Sequence, residues 1–131
     1  MSDIKSFSTD VCFLVASSIQ KSYQKLSENY AAIETPTWAL LLAQSCRAVN
    51  FKVSIVDANA EKLSHDETLK KIKNCNPRLL CLVVYGQNVN AGTTNMSGAV
   101  EITNFLKNNN VSYPIAFIGS HVQALPKETL E

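Results

Sequence analysis

The residues that could do chemistry are few: two histidines, four cysteines, and two stretches rich in glycine, amides and hydroxyls, in a chain of 131 residues. His65 stands in Ser64-His65-Asp66-Glu67, where Ser at a helix cap and Glu three residues on form a capping-box pattern, so it belongs on the first turn of a surface helix. His121, in Ile118-Gly119-Ser120-His121, follows an apolar run and is the better functional candidate. Nucleophilic catalysis needs a base within ~3 Å of a Ser or Cys, and no spacing here suggests one, so no catalytic residue is assigned. Cys12, Cys46, Cys75 and Cys81 lack the C-x-x-C spacing of zinc and redox sites and the C-x-x-x-C-x-x-C cluster of an iron–sulfur centre. Cys12 and Cys81 lie in apolar runs, where a thiol acts as a small hydrophobe. All four are expected to be reduced and structural, with no metal ligand among them.

Phosphate chemistry is no better supported. Neither G-x-G-x-x-G nor G-x-x-x-x-G-K-[ST] occurs, and the first glycine of the chain is Gly86. Asp57, closing an apolar run, reads as a loop cap rather than a ribose ligand. A phospho-accepting receiver would need an acidic pair near the end of the first strand, where Ala16-Ser17-Ser18 stands. What residues 86–95 and 119–126 do offer is small side chains with neutral amides and hydroxyls. Such loops suit a large, flat, neutral-to-polar ligand.

These stretches need elements to hold them. Residues 11–17 are continuously apolar, as in a strand buried on both faces of a parallel sheet. Residues 18–35 are polar apart from Tyr23, Tyr30 and a few others, and exceed the ~2–6 residues of an ordinary strand-to-helix loop. Thr35 as cap and Pro36 as first helical residue open a helix on which Trp38, Leu41, Leu42, Cys46 and Val49 recur. A strand over 51–57, a helix from Ser64 carrying Leu69 and Ile72 inward, and a nearly wholly apolar, central strand over 79–85 follow. Then come a loop over 86–95, a helix over about 96–107 with Val100, Phe105 and Leu106 inward, a strand over 115–118, and a helix start at Leu125-Pro126. The alternation predicts a doubly wound α/β parallel sheet in three layers, α/β/α. Ligands of such sheets sit at the carboxyl ends of the strands, where strand order reverses. Residues 17–35, 86–95 and 119–126 should converge there.

Composition narrows the partners. Twelve basic against eleven acidic residues give +1, with Arg47 and Arg78 the sole arginines, so no basic face is available to displace counterions from nucleic acid. No apolar run approaches the ~20 residues that span a bilayer, and residues 1–10 lack a signal-peptide pattern. One domain over residues 1–131, cytoplasmic and without nucleic-acid or membrane partners, is the expectation.

Four segments then carry a resemblance: Pro36-Thr37-Trp38-Ala39-Leu40-Leu41-Leu42-Ala43, Phe51-Lys52-Val53-Ser54-Ile55-Val56-Asp57-Ala58, Asn76-Pro77-Arg78-Leu79-Leu80, and residues 118–130 with Gly119-Ser120-His121 and Pro126-Lys127-Glu128. In this order they resemble the N-terminal cobalamin-binding domain of cobalamin-dependent radical SAM enzymes, over about residues 11–131. The resemblance implies a flavodoxin-like (Rossmann-like) sheet holding cobalamin against its carboxyl edge. It places the binding loops at Gly86, Gln87 and Asn88, with Tyr85 and Thr93 beside them, and at Gly119, Ser120 and His121. It also implies a downstream radical SAM domain with a 4Fe-4S cluster and S-adenosylmethionine, and possible methyl transfer, for which this segment would do only the holding. Ser120 stands where the family's Gly-Gly pair usually has its second glycine. The D-x-H-x-x-G motif, whose histidine ligates cobalt from below in methionine-synthase-like domains, has no counterpart in Ser17-Ser18-Ile19-Gln20-Lys21. Four strands where the flavodoxin-like sheet usually has five suggest the front part of a longer protein. The competing expectation is a free-standing small-ligand-binding or interaction module of the same fold, without catalysis.

Overall fold

The computed structural model describes residues 7–17, 33–86 and 89–130. In chain order these form β1 (Thr9–Val15), α1 (Thr37–Ala48), β2 (Val53–Asp57), α2 (His65–Cys75), β3 (Pro77–Val83), α3 (Val89–Asn108), β4 (Ile115–Ile118), α4 (Ser120–Ala124) and α5 (Pro126–Leu130). The strands pair parallel in the order β2-β1-β3-β4. From β1 the chain steps to one side for β2, then crosses to the other side for β3 and β4. The reversal therefore falls between β1 and β3, as in a flavodoxin-like sheet. No helix of the described residues is long and apolar enough to cross a membrane.

Continuous apolar strands arise because both faces are covered. Cys12, Leu14, Leu80, Leu82 and Val84 pack with Leu69 and Ile72 of α2 and with Met96, Ala99, Ile102 and Leu106 of α3. Phe13, Cys81 and Val83 turn to the opposite face, beneath Ala39 and Ala43 of α1. The inner face of α1 is thus alanine, with Leu42 and Cys46 half-buried at its border. Trp38, Leu41 and Val49 stay 49%, 55% and 65% exposed. Helical spacing finds the helix but not its inner face, because small residues allow the closest approach to the sheet. Likewise Leu106 is buried on α3, whereas Val100 is 43% exposed and Met96, Ala99 and Ile102 do the packing.

All four cysteines are free thiols. Burial pushes the Cys12 thiol up to about 12, partly offset by the Ser54 hydroxyl, and burial pushes Cys81 up to about 11. A native chain at pH 8 should therefore expose only Cys46 and Cys75 to a disulfide reagent such as DTNB, with Cys12 and Cys81 reacting on unfolding. The sign for stability follows from proton linkage. Above the ordinary thiol value of 9.0 the unfolded chain ionises while the folded one holds its protons. Stability present below pH 9 is thus lost as pH rises toward the folded values.

Helix ends follow local chemistry. At the start of α2 the Ser64 N–H donates to Glu67 Oε2 at 2.8 Å and the Glu67 N–H donates to Ser64 Oγ at 3.3 Å. Hydrogen bonding by the Ser64 N–H, then by its hydroxyl, holds the Glu67 carboxyl below its usual range. That contribution is present above the usual carboxylate range and lost as pH falls through the folded value. Ser64→Ala should cost about 1 kcal/mol, read as a lower denaturation midpoint with unchanged slope. At α1, Pro36 occupies the cap rather than the first helical position, and no side chain caps it. Asn50 and Asn110, both with left-handed φ (67° and 56°), close α1 and α3. In each case the next N–H returns to the helix, Phe51 to the Cys46 carbonyl and Val111 to the Leu106 carbonyl, both at 3.1 Å.

Two stretches expected to be loops are largely helical. α3 begins at Val89, not near 96, and residues 120–124 form α4. Asn90, Gly92, Thr93 and Thr94 have weak helix propensity. Tertiary packing overrides it: a Cβ on Gly92 would lie 2.7 Å from Ser120 Oγ, so α3 and α4 meet closely there and a larger residue would need the Ser120 hydroxyl to turn aside.

Candidate functional site

The carboxyl ends of β1 and β3 open into a cleft of about 210 Å³. Val15 and Ala16 form its floor beside Val83, Asn59 enters after β2, and the first turn of α1 supplies Trp38 and Ala39. Tyr85 and Gly86, just beyond β3, and Asn95 of α3 complete the far side. Trp38 stacks on Tyr85 with ring centroids 4.6 Å apart and planes 22° apart. The Asn95 amide donates to the Tyr85 carbonyl at 3.0 Å, which fixes the backbone where β3 ends. Asp57 accepts from the Ala60 N–H at 2.9 Å, so it caps the turn that carries Asn59. That is the loop-cap role its position predicts.

Among the described residues the lining carries one charged side chain, Glu34, and no Lys or Arg. Asn59 Oδ1 is buried without a hydrogen-bond partner among those residues. A buried acceptor left unpaired is costly. Trp38 and Tyr85 offer a flat aromatic wall at the same place.

The expected site residues divide into two groups. Tyr85 and Gly86 line the cleft. Thr93, Gly119, Ser120 and His121 do not; they gather next to it, where α3 meets α4. There Thr93 Oγ1 lies 3.2 Å from His121 Nδ1. Gln87 and Asn88 lie outside the described residues. The glycines are filled from within the chain: a Cβ on Gly86 would lie 2.3 Å from Ala91 Cβ, and one on Gly119 2.1 Å from the Val84 carbonyl oxygen. Their missing side chains let α3 and β4 close on β3. His65, as expected on the first turn of α2, packs its ring against Phe105 at 5.2 Å. No group of three His, Cys, Asp or Glu gathers as a metal site among the described residues.

Trp38, Asn59, Ala16 and Asn95 were not in the expected set. The signal for them is topological, since each adjoins the carboxyl end of β1, β2 or β3, and strand order is what brings those ends together.

A family model described as the B12 binding domain matches residues 24–131. The chain belongs to the B12-binding domain family. Membership implies a corrinoid cofactor, and the four-stranded parallel sheet of this B12-binding domain agrees with the family's flavodoxin-like fold. Searches for similar curated proteins and for similar solved structures gave no match.

Proposed function

We propose that this B12-binding domain holds cobalamin across the carboxyl edge of its sheet, with the nucleotide tail in the cleft between β1 and β3. The observation that carries the reading is the cleft itself: it sits where strand order reverses, with an aromatic wall. Its volume of about 210 Å³ is below the ~300–1,000 Å³ of pockets for whole drug-sized ligands. It therefore fits one ring system of the tail, leaving the corrin outside, over Tyr85, Gly86 and the ridge of Gly119, Ser120 and His121. Gln87 and Asn88 belong to the same proposed contact. The cofactor supplies organometallic chemistry when bound. The chain's own part is to bind, to orient the tail and to keep water from the cleft.

Trp38 is the sole tryptophan and lines the cleft, so hydroxocobalamin should quench its fluorescence saturably, and Trp38→Phe should abolish that signal while binding persists by absorbance. Emission unchanged by bound cofactor would place the tail elsewhere.

The wider context proposed is the front, cofactor-holding part of a cobalamin-dependent radical SAM enzyme, whose downstream domain would carry the 4Fe-4S cluster and S-adenosylmethionine and whose reaction would be a methyl transfer. Support comes from the four ordered sequence segments, Pro36 to Ala43 through residues 118–130. A C-x-x-x-C-x-x-C motif in the reading frame after Glu131 is the expected result. A stop codon there, with no such domain elsewhere in the chain, would leave a free-standing carrier module instead.

A further inference from the structure

A nucleotide tail drawn into the cleft takes its base away from the cobalt, and the axial position so vacated is open to a donor from the chain. The corrin itself fills the equatorial positions, so one side chain is enough and no cluster of ligands is needed. Imidazole nitrogen is a side-chain donor well matched to such a metal. The chain holds two histidines, and the structure separates them. His65 packs its ring against Phe105, and from Asn95, which lines the cleft, to Phe105 is about 15 Å along α3. His121 instead meets α3 at Thr93, on the same turn as Asn95.

The His121 ring is half-buried and held from one side. Its Nδ1 lies 3.2 Å from Thr93 Oγ1, and Nε2 has no hydrogen-bond partner among the described residues. In the tautomer whose Nδ1–H donates to Thr93 Oγ1, Nε2 keeps its lone pair. Ligating histidines have their other ring nitrogen held in this way, which fixes both the ring and its tautomer. The support beneath is close-fitting: Gly119 lies against the Val84 carbonyl and Gly92 against Ser120, so α4 is seated on the ends of β3 and α3.

From this we infer that His121 is a cobalt ligand of the bound corrinoid, coordinating through Nε2, with Thr93 as its positioning residue. The inference rests on the cobalamin reading and on the tail lying in the cleft. His121 would then do what Ser17-Ser18-Ile19-Gln20-Lys21, which holds no histidine, cannot.

The test is electron paramagnetic resonance of hydroxocobalamin reduced to cobalt(II) on the untagged chain, grown with histidine labelled with nitrogen-15. The unpaired electron lies along the axial direction, so an axial nitrogen-14 splits its lines into triplets and nitrogen-15 into doublets. Free cobinamide, the same corrin without its nucleotide tail, gives the unsplit reference. The labelled wild type is expected to give doublets, His65→Gln to keep them, and His121→Gln to return the unsplit spectrum. Thr93→Val should convert part of the doublet signal to the unsplit one with the corrin still bound; an unchanged doublet removes Thr93 from positioning. Triplets from the labelled wild type mean that the cofactor's own base still holds the cobalt, which overturns both the ligation and the placement of the tail. An unsplit spectrum from bound cofactor overturns the ligation and leaves the tail in the cleft. Doublets that survive His121→Gln overturn the assignment to His121. Corrin that does not stay with the labelled chain on gel filtration overturns the cobalamin reading itself. If His121→Gln does not fold, His65→Gln decides alone, because it leaves His121 as the single histidine.

Discussion

Gly119→Ala is expected to destabilise the chain by about 3 kcal/mol, at the upper end of what overpacking ordinarily costs, and to lower its melting temperature by about 10 °C. The Cβ would lie 2.1 Å from the Val84 carbonyl oxygen and 2.8 Å from its carbonyl carbon, both backbone atoms. Neither can swing aside as a side-chain tip would. The adjoining Val84 N–H donates to the Ile118 carbonyl at 2.7 Å, and Val83 pairs with Ile118 in the β3–β4 ladder. Relief of the clash must therefore part β4 from β3. Ser120→Gly, one residue on, removes a side chain instead of adding one and should shift melting by no more than a few degrees. A Gly119→Ala chain that melts with the wild type, followed by circular dichroism, would mean that the seam is looser than these distances state.

Ala16→Phe should weaken hydroxocobalamin binding by about 100-fold, equivalent to about 2.7 kcal/mol, while the sheet still forms. Ala16 follows β1, is half-buried, and lines the cleft opposite Tyr85. A phenyl ring placed there takes up much of a cavity of about 210 Å³. The loss should fall on ligands with a nucleotide tail, because cobinamide has nothing to place in the cleft. Affinity measured by absorbance titration, beside a melting curve for each variant, separates a blocked cleft from a damaged fold. Unchanged hydroxocobalamin affinity with normal melting would show that the tail does not enter between β1 and β3.

The sheet was legible in the sequence because its physical cause is local. Runs such as Leu79 to Val84 are apolar on both faces, and Ser64 with Glu67 marks a helix start wherever it folds. The inner face of α1 was not legible, because Ala39 and Ala43 carry too little hydrophobicity to outweigh Trp38 and Leu41, and only contact with Phe13 and Val83 selects them. Residues 89–95 read as loop because their propensities are weak, and the α3–α4 contact at Gly92 is long-range. Of the site, Tyr85 and Gly86 were found because they end a strong strand. Asn59 and Trp38 were missed because their place depends on strand order, which the sequence states only indirectly. The glycines stand out in the sequence for a missing Cβ, and at Gly86 and Gly119 neighbouring atoms of the chain take its place, a long-range contact that the sequence does not state.

The most direct measurement is gel filtration of the purified chain after incubation with hydroxocobalamin. The corrin spectrum should elute with the protein at close to one cofactor per chain. Corrin absorbance found wholly in the small-molecule volume, with the protein peak colourless, would contradict cobalamin binding by these residues.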